Sequence, residues 1–193
     1  VMALVLSFTD FAIVGTPEWV GLQNYADLMV SPVFHQAFFN SVIYTLGTVV
    51  PSLFISLGVA IALNQKVRGL SFFRAAFYVP QVASWVAISI IWLFMLNPSF
   101  GILNFVLESI GLPRFAWLNS SSTALPTVIL IGIWKFIGYG AVLFLAGLQG
   151  IPAHLYEAAR IDGMSAWQRF RNVTWPLLMP TTVFALTIMT IFS

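Results

Sequence analysis

Four long stretches of this chain contain almost no charged side chains, and this feature limits the possible folds more than any other. The stretches Phe38–Leu63 and Ala75–Leu96 are uncharged throughout, and the stretch Leu125–Leu148 contains one charge, Lys135. A fourth apolar stretch begins near Leu177 and continues to the last residue. Because roughly 20 mostly apolar helical residues cross about 30 Å of hydrocarbon, each stretch predicts a membrane-spanning helix.

The composition favours a membrane protein over a soluble one. Only 7% of the residues are charged, whereas a soluble domain carries about 25%. The net charge of +2 comes from eight basic residues scattered through apolar sequence, which do not form the basic stripe that nucleic-acid binding requires. The absence of Cys excludes disulfides, zinc thiolate sites and thiol nucleophiles. We predict an all-α, polytopic transmembrane helical bundle that contacts membrane lipid and binds no nucleic acid.

Both ends of the sequence are apolar. The opening VMALVLSF predicts the tail of a span whose start is absent, and the last stretch is still apolar at Ser193. We therefore expect a chain that is truncated at both ends. A cleaved signal peptide is the alternative for the opening, but it requires a basic leader and a small-residue cleavage site, which this sequence does not contain.

Basic residues in the loops predict the orientation. Lys66, Arg68 and Arg74 lie between the first two apolar stretches, and Arg160, Arg169 and Arg171 lie two spans later, which is the same side. Positively charged loops face the cytoplasm. The remaining loops contain Asp10, Glu18, Asp27 and Glu108 against a single Arg114, so we assign them to the exterior. In the exterior loop, the apolar spacing of GILNFVLESIG predicts a short amphipathic helix that stops at Gly111.

Polar residues are concentrated in the segment 151–176. Pro152 suits the first turn of a helix that continues to Ile161, with Gly163 as its stop. Helical spacing groups Leu155, Ala158, Ala159 and Asp162 on one face and Glu157, Arg160 and Ile161 on the other. The two alanines make the first face shallow, so that a groove or another backbone can approach it.

Two further features of this segment concern its charges and its second helix. The carboxylate of Asp162 opposes the helix dipole, so it needs a donor, either from the backbone N–H groups around Gly163 or from a cation on a partner. Ser165 and Gln168 have the spacing of a capping box, and Trp175-Pro176 predicts the end or a kink of the helix that follows. The alternative is an ordinary amphipathic loop that lies on the inner leaflet.

The run EAARIDGMSAWQRFRNVTWP resembles the signature loop of the inner-membrane permease subunits of binding-protein-dependent ABC importers. The matching positions are Glu157, Ala158, Ala159, Gly163, Val173, Trp175 and Pro176. Val173 and Trp175 replace the Ile and Leu of the family pattern and remain apolar. Asp162 before Gly163, the preceding FLAGLQGIPAHLY, and the runs VGLQNY and FFRAAFYVPQ resemble the carbohydrate-uptake branch.

This resemblance implies a single, partial permease domain over residues 1–193, with about four of six spans and part of another, in the fold of type I ABC importer permeases. It implies a multi-pass protein of the bacterial or archaeal cytoplasmic membrane that forms the path for a sugar or polyol. The segment 151–176 is then a cytoplasmic coupling loop, and its residues Glu157, Ala158, Ala159, Asp162 and Gly163 couple the chain to an ATPase. The implied partners are a second permease subunit in a heterodimer, a cytoplasmic ATPase dimer and an external sugar-binding protein. The chain itself binds no cofactor, because ATP binds the partner ATPase.

Lys135 is a charged residue about ten positions into its span. A lysine there costs about 2.5–3.5 kcal/mol on insertion scales unless it meets water or an acid, so it does not face lipid. One interpretation assigns it, with Trp134 and Tyr139, to the substrate path. The alternative is that its apolar stem lets the ammonium reach the outer interface. Gly138 and Gly140 nearby predict close helix packing or local flexibility.

An enzyme is disfavoured. His35 and His154 lie on opposite sides of the membrane in the predicted topology, and no G-x-x-x-x-G-K-[ST] motif for ATP phosphates occurs. A gradient-driven secondary transporter is the alternative to the importer, but it would need acidic or His residues within its spans. No carboxylate occurs in the first three apolar stretches. A purely structural membrane adaptor would not need Lys135.

Overall fold

The computed structural model describes residues 2–11, 18–65 and 70–193. Two compact units, residues 1–43 and 44–193, are distinguished by their internal contacts. The basic residues Lys66 and Arg68, which support the predicted orientation, lie outside the described residues, as does the side chain of Arg74.

The first unit contains helices and a small β-ribbon. Its elements are α1 (Met2–Leu6), the antiparallel strands β1 (Thr9–Asp10) and β2 (Glu18–Trp19), and α2 (Gln23–Val30). The expectation that the opening is the tail of a span remains a prediction. The two short strands are the one departure from the all-α expectation among the described residues.

Three residues of the VGLQNY run, Gly21, Asn24 and Tyr25, hold the ribbon to α2. Gly21 has a φ of +63°, a left-handed conformation that a glycine adopts easily. The Asn24 amide donates to the carbonyl oxygens of Ser7, at 2.9 Å, and Thr9, at 3.0 Å. The Tyr25 and Ser7 hydroxyls are 2.6 Å apart. The polar residues of this run are therefore used within the unit.

Helix α3 (Pro32–Leu63) begins in the first unit and ends in the second. The second unit continues with helices α4 to α10 and one π-helical segment. Their bounds are α4 Leu70–Val82, α5 Trp85–Met95, α6 Ile102–Ser109, α7 Ser121–Gln149, α8 Ala153–Ile161, α9 Ala166–Arg169, the π segment Phe170–Thr174, and α10 Trp175–Phe192.

Three helical stretches among the described residues are long and apolar enough to cross a membrane: Pro32–Leu63, Ser121–Gln149 and Ala166–Phe192. Large apolar side chains such as Phe54 and Phe184 are exposed on the surface of the chain, as lipid contact requires. These features make the chain a multi-pass membrane protein with an essentially all-helical fold.

The second predicted span is broken instead of straight. Residues 75–82 of α4 and α5 (Trp85–Met95) meet at 105°. Pro80 removes one backbone donor near the end of α4, and Ser84 is extended, with φ −56° and ψ 139°. We call residues 83–84 the elbow. Apolar periodicity alone does not reveal such a break.

The fourth span begins earlier than its apolar sequence predicts. Trp175-Pro176 does not end the preceding helix as expected, because α9 continues through the π segment into α10. The alternative expectation, a kink at this position, remains a prediction. The N–H of Trp175 donates to the carbonyl oxygen of Phe170, five residues back. The wider π turn keeps the chain helical up to Pro176, which has no N–H to donate.

Helix α7 packs against α3, α4 and α10 through small residues. A Cβ on Gly132 would lie 2.9 Å from the Thr48 methyl carbon of α3, and one on Gly147 would lie 2.7 Å from the Thr181 hydroxyl of α10. The Ser56 hydroxyl donates to the carbonyl oxygen of Ile137 at 3.1 Å. Gly138 and Gly140 are buried, as close helix packing requires.

The loop between α5 and α7 folds around one buried amide. Asn104, in α6, donates to the carbonyl oxygens of Pro98 and Phe115 and accepts from the N–H groups of Phe115 and Trp117, at 3.0–3.3 Å. Gly111 ends the helix with a φ of +80°. The predicted short helix and its stop are confirmed.

Candidate functional site

The predicted helix of the inner loop is present as α8. Pro152 precedes it in an extended conformation, with φ −60° and ψ 132°. At its end, Gly163 has a φ of +73°. The N–H of Gly163 donates to the carbonyl oxygen of Arg160, and that of Met164 donates to Ala159, both at 3.0 Å. This is a Schellman ending, which requires a left-handed residue at the position of Gly163.

The two alanines of the signature run do not share an accessible face. Ala159 is 3% exposed and packs inward with the half-buried Leu155 and Tyr156, whereas Ala158 is exposed. The expected shallow face that contains both alanines is therefore wrong. The outward stripe consists of residues at i, i+3, i+4 and i+7, which are His154, Glu157, Ala158 and Ile161.

The exposed charges of α8 have no partners within the described part of the chain. The only salt bridge there joins Glu108 to Arg114, so Glu157 and Arg160, which helical spacing assigns to one face, do not form an ion pair. The N–H groups after Asp162 pair with helix carbonyls and do not serve its carboxylate. Of the two donors considered for Asp162, a cation on a partner remains a prediction.

A second short helix follows immediately, and its predicted capping box is confirmed. The Ser165 hydroxyl accepts from the N–H of Gln168 at 3.3 Å, and the Gln168 side chain accepts from the N–H of Ser165 at 2.7 Å. The Arg169 guanidinium donates to the carbonyl oxygen of Met164 at 2.6 Å. The side chains of Gln168 and Arg169, both in α9, thus hold the turn that follows α8.

Helix α8 is tied to the last span by a contact that sequence reasoning missed. The hydroxyls of Tyr156 and Thr174 are 3.0 Å apart, and Thr174 is the last residue of the π segment that leads into α10. Beside this contact lies a cavity of about 240 Å³, which residues of α3, α7 and α9 also line. A Tyr on the inward face of a helix usually finds a hydrogen-bond partner for its hydroxyl, and this is the one signal in the sequence for the bond between Tyr156 and Thr174.

Lys135 is buried, with 2% exposure, and its ammonium reaches the elbow. The nitrogen donates to the carbonyl oxygen of Ala83 at 3.0 Å and lies 3.8 Å from the centroid of the Trp85 ring. Ala83 lies near the middle of the second apolar stretch, so the alternative in which Lys135 reaches the outer interface is wrong. A cation over an aromatic face and a carbonyl at a helix end both stabilise the ammonium.

The structure brings Lys135 and Tyr139 to one side of α7 and separates Trp134 from them. Tyr139 lines a cavity of about 270 Å³ with Gln81, Trp85, Phe136, Ile188 and Phe192. We call this space the elbow cavity. The Trp134 ring instead contacts Trp92 edge-on, with centroids 5.5 Å apart. Trp85, which contacts the Lys135 ammonium and lines the same cavity as Tyr139, therefore belongs to the same cluster as Lys135.

The sequence matches one family model over residues 54–193. That family is described as the binding-protein-dependent transport system inner membrane component. The matched region includes the elbow, helix α7 and the whole inner loop.

Proteins with similar sequences include bacterial and archaeal permeases. The "Probable ABC transporter permease protein YurN" of Bacillus subtilis is 42% identical over 167 residues, which cover 83% of this chain and 57% of that protein. The "Xylose/arabinose import permease protein XacH" of Haloferax volcanii is 36% identical, over 97% of this chain and 60% of that protein. The "Trehalose/maltose transport system permease protein MalF" of Thermococcus litoralis is 32% identical, over 94% and 62%. The chain therefore spans less than two thirds of the length of each of these relatives.

Among solved structures, the chain is similar to a bacterial ABC transporter involved in the import of the acidic polysaccharide alginate. The TM-score is 0.84 and the sequence identity 26%, and the match covers 97% of this chain and 64% of that one. A second structure of an alginate ABC transporter, in complex with an alginate pentasaccharide-bound periplasmic protein, matches with a TM-score of 0.79 and 27% identity over 88% of this chain and 59% of that one.

Proposed function

The chain belongs to the family of binding-protein-dependent transport system inner membrane components, and on this basis we propose that it is a permease subunit of an ATP-driven importer. In this proposal it forms part of the membrane path for a sugar or a related polyol. The relatives named for xylose/arabinose and trehalose/maltose transport support a carbohydrate substrate. The gradient-driven alternative has no such support.

The partners follow from the family. We infer a second permease subunit in a heterodimer, an external sugar-binding protein, and a cytoplasmic ATPase dimer that binds and hydrolyses ATP. The chain contributes no catalytic residue of its own, and it resides in the cytoplasmic membrane of a bacterium or archaeon. The complex of an alginate importer with its periplasmic protein supports the external partner by analogy.

We infer that residues 1–193 are one partial permease domain and that residues 151–176 are its cytoplasmic coupling loop. The exposed stripe of α8 docks in a groove of the ATPase, with Ile161 as its apolar contact. Ile161 is 87% exposed and lies on the same outward stripe as Glu157 and Ala158, so its apolar surface is available to a partner. This exposure is the observation that best supports the docking role.

Within this loop the signature residues have different roles. Glu157, Ala158 and Asp162 are exposed and available to the ATPase, and Gly163 provides the turn that ends the helix. Ala159 acts from the inside, because its small side chain lets α8 pack closely against the rest of the chain. The bond between Tyr156 and Thr174 then transmits movement of α8 to the last span.

The substrate path in this proposal includes Lys135, Tyr139 and Trp134. Tyr139 lines the elbow cavity, and Lys135 contacts the elbow itself by donating to the carbonyl oxygen of Ala83. Irregular backbone at membrane depth occurs where it is buried in protein or lines a water-filled cavity. Trp134 lies on a different side of α7. In this proposal it contributes to the path only if a further span closes the path on that side.

The coupling role is tested with Glu157→Lys and Gly163→Pro in the complete complex. Glu157→Lys reverses a charge at the docking surface, and Gly163→Pro cannot adopt the required positive φ. Both variants should insert normally and retain ATP hydrolysis while sugar uptake is lost. Glu157→Gln, which preserves size, is the control for the charge. Normal uptake in both of the first two variants would contradict the coupling role.

A further inference from the structure

Gln81 occupies a distinctive position beside the elbow. It follows Pro80 near the end of α4, and Trp85 begins α5 on the other side of the break. Both side chains line the elbow cavity, opposite Tyr139 of α7. The break in the helix therefore places one amide and one indole ring along the same cavity.

The amide oxygen of Gln81 is buried and accepts no hydrogen bond in the structure. A buried acceptor without a donor is unfavourable, and such groups are rare in folded proteins. The buried hydroxyl of Ser52 also lacks a partner. Gln81 differs from it because the Gln81 side chain lines a space that is large enough for a ligand or several waters.

The elbow cavity has the composition of a carbohydrate site. Its volume of about 270 Å³ is at the lower end of the range for small-ligand pockets. Aromatic rings of Trp85, Phe136 and Tyr139 line it, and they offer apolar surfaces to the C–H face of a sugar ring. Gln81 adds a polar amide to this lining, and no described carboxylate lines the cavity.

Lys135 holds Trp85 and the elbow in place through two contacts of its ammonium. Its ammonium contacts the Trp85 ring and the carbonyl oxygen of Ala83 and so connects α7 to both sides of the elbow. The ring of Phe136 contacts Trp85 edge-on, with centroids 6.2 Å apart. Trp85 is thereby held between two residues of α7, which orients the wall that it forms with Gln81.

We propose that Gln81 is a specificity-determining residue of the permease, whose side-chain amide forms a hydrogen bond with a substrate hydroxyl in the elbow cavity. Trp85 packs against the sugar ring, and Lys135 is a positioning residue for Trp85. This inference rests on the proposed function, since it assigns a carbohydrate to the cavity.

Thiol labelling tests the cavity directly, because the chain contains no Cys. Gln81→Cys is prepared in the full-length complex, with cysteine-free partner subunits, in lipid nanodiscs. A charged methanethiosulfonate reagent, which needs water to react, should label position 81 more than tenfold faster than a matched thiol from Val86→Cys. Val86 lies on the exposed apolar surface of α5. Arabinose, xylose, maltose or trehalose, whichever the wild-type complex takes up, should slow labelling at position 81 only.

Uptake kinetics provide the second measurement. Gln81→Leu removes the amide and should raise the KM for the transported sugar by about 2- to 12-fold, the equivalent of one hydrogen bond, with a smaller change in maximal rate. Gln81→Glu retains an acceptor and should restore part of the affinity. An unchanged KM in Gln81→Leu would overturn the proposal, as would an unreactive thiol at position 81 or labelling that the transported sugar does not slow.

The experiments distinguish failure of the proposed carbohydrate substrate from failure of the proposed role of Gln81. If the wild-type complex takes up none of the four sugars, the proposed carbohydrate substrate is contradicted, and with it the sugar assignment of Gln81. If the wild type transports a sugar and the Gln81 variants behave as the wild type does, the proposed function stands and the role of Gln81 is overturned.

Discussion

The ammonium nitrogen of Lys135, in α7, lies 3.8 Å from the centroid of the Trp85 ring, and Trp85 begins the helix that follows the break in the second predicted span. The same ammonium donates to Ala83 within the break. One side chain of α7 therefore holds both the carbonyl end of α4 and the first ring of α5. A charge in an apolar span is explained here by what it contacts inside the protein.

We predict that Lys135→Met changes transport more than stability. Removal of the ammonium abolishes a cation–π contact of about 2 kcal/mol and a charged hydrogen bond of about 1.5–3 kcal/mol. It also removes the cost of about 2.5–3.5 kcal/mol of keeping a charge at membrane depth. These terms largely offset each other, so the amount of inserted protein should stay near that of the wild type. The order of preference in uptake of arabinose, xylose, maltose and trehalose should change, because Trp85 is no longer held.

Lys135→Arg is the control, since it keeps the charge with a different shape. A wild-type order of preference in Lys135→Met, whatever the absolute rate, would show that the residue takes no part in substrate selection.

The bond between Tyr156 and Thr174 predicts a second class of transport defect. Tyr156→Phe deletes one hydroxyl and a hydrogen bond of about 0.5–1.5 kcal/mol. We expect ATP hydrolysis by the complex to continue while uptake per ATP falls several-fold, because α8 then moves with less effect on α10. Thr174→Val removes the other hydroxyl with almost the same volume. If the bond carries the coupling, the double variant should be no worse than either single variant; additive defects would indicate separate roles.

Adjacent cysteines should distinguish the two alanines of the signature run. Ala158→Cys places a thiol on the exposed stripe of α8, whereas Ala159 is 3% exposed. In the assembled complex, Ala158→Cys should crosslink to a cysteine in the ATPase groove and Ala159→Cys should not. The chain has no other Cys to confuse the result. Equal crosslinking from both positions would mean that α8 presents a different face from the one described.

The glycines of α7 and α3 provide a matched pair for stability. A Cβ on Gly140 would overlap Ser56 and lie 2.6 Å from the terminal methyl carbon of Met189, whereas a Cβ on Gly58 would meet nothing within 4 Å. Gly140→Ala should lower the unfolding free energy in detergent by about 1–3 kcal/mol, the usual cost of overpacking. Gly58→Ala should be neutral or raise it by up to about 1 kcal/mol, since alanine favours a helix. A reversed order, measured by thermal denaturation, would contradict the packing of α7 against α3.

The hydrogen bond from Arg114, at 2.6 Å, and then the charge of that residue hold the pKa of Glu108 below its ordinary value. A carboxyl with a lowered folded-state pKa stabilises the fold at pH values above its unfolded-state pKa, and this stabilisation disappears as the pH falls through the folded-state pKa. The loop between α5 and α7 should therefore be insensitive to pH near neutrality and loosen only in acid.

The shift is measurable by carbon NMR, because the chain has only three Glu residues to label. The Glu108 resonance, assigned by its loss in Glu108→Gln, should titrate at a lower pH in the wild type than in Arg114→Gln. Titration at the same pH in both proteins would disprove the pairing in solution.

Local signals made several elements predictable from sequence. Pro152 and Gly163 bracket α8, Ser165 and Gln168 form a reciprocal cap, and Gly111 ends α6, because each of these patterns satisfies backbone groups within a few residues. The small residues of α7 likewise indicated close helix contacts. Such features depend on neighbours in the chain and so appear in the sequence itself.

Features that depend on distant contacts were not predictable. The elbow at residues 83–84 contacts the ammonium of Lys135, which is 52 residues away from Ala83 in the chain. The inward face of α8 is set by packing against the π segment, so helical spacing alone assigned Ala159 to the wrong surface. The unpaired oxygen of Gln81 is likewise visible only when the elbow cavity is known.

The π segment at Phe170–Thr174 adds, in effect, one residue to the turn before the last span. One residue advances an α-helix by about 100°, so the segment resets the phase between the aromatic residues before it and Leu178, Ala185 and Met189, which are fully buried after it. Suppose that Trp167 and Phe170 kept their positions and the helix after them were a regular α-helix. Leu178, Ala185 and Met189 would then be rotated by about 100° and would no longer face the core. The five residues of the π segment therefore set the rotation between the side chains of α9 and those of α10 about the shared helix axis.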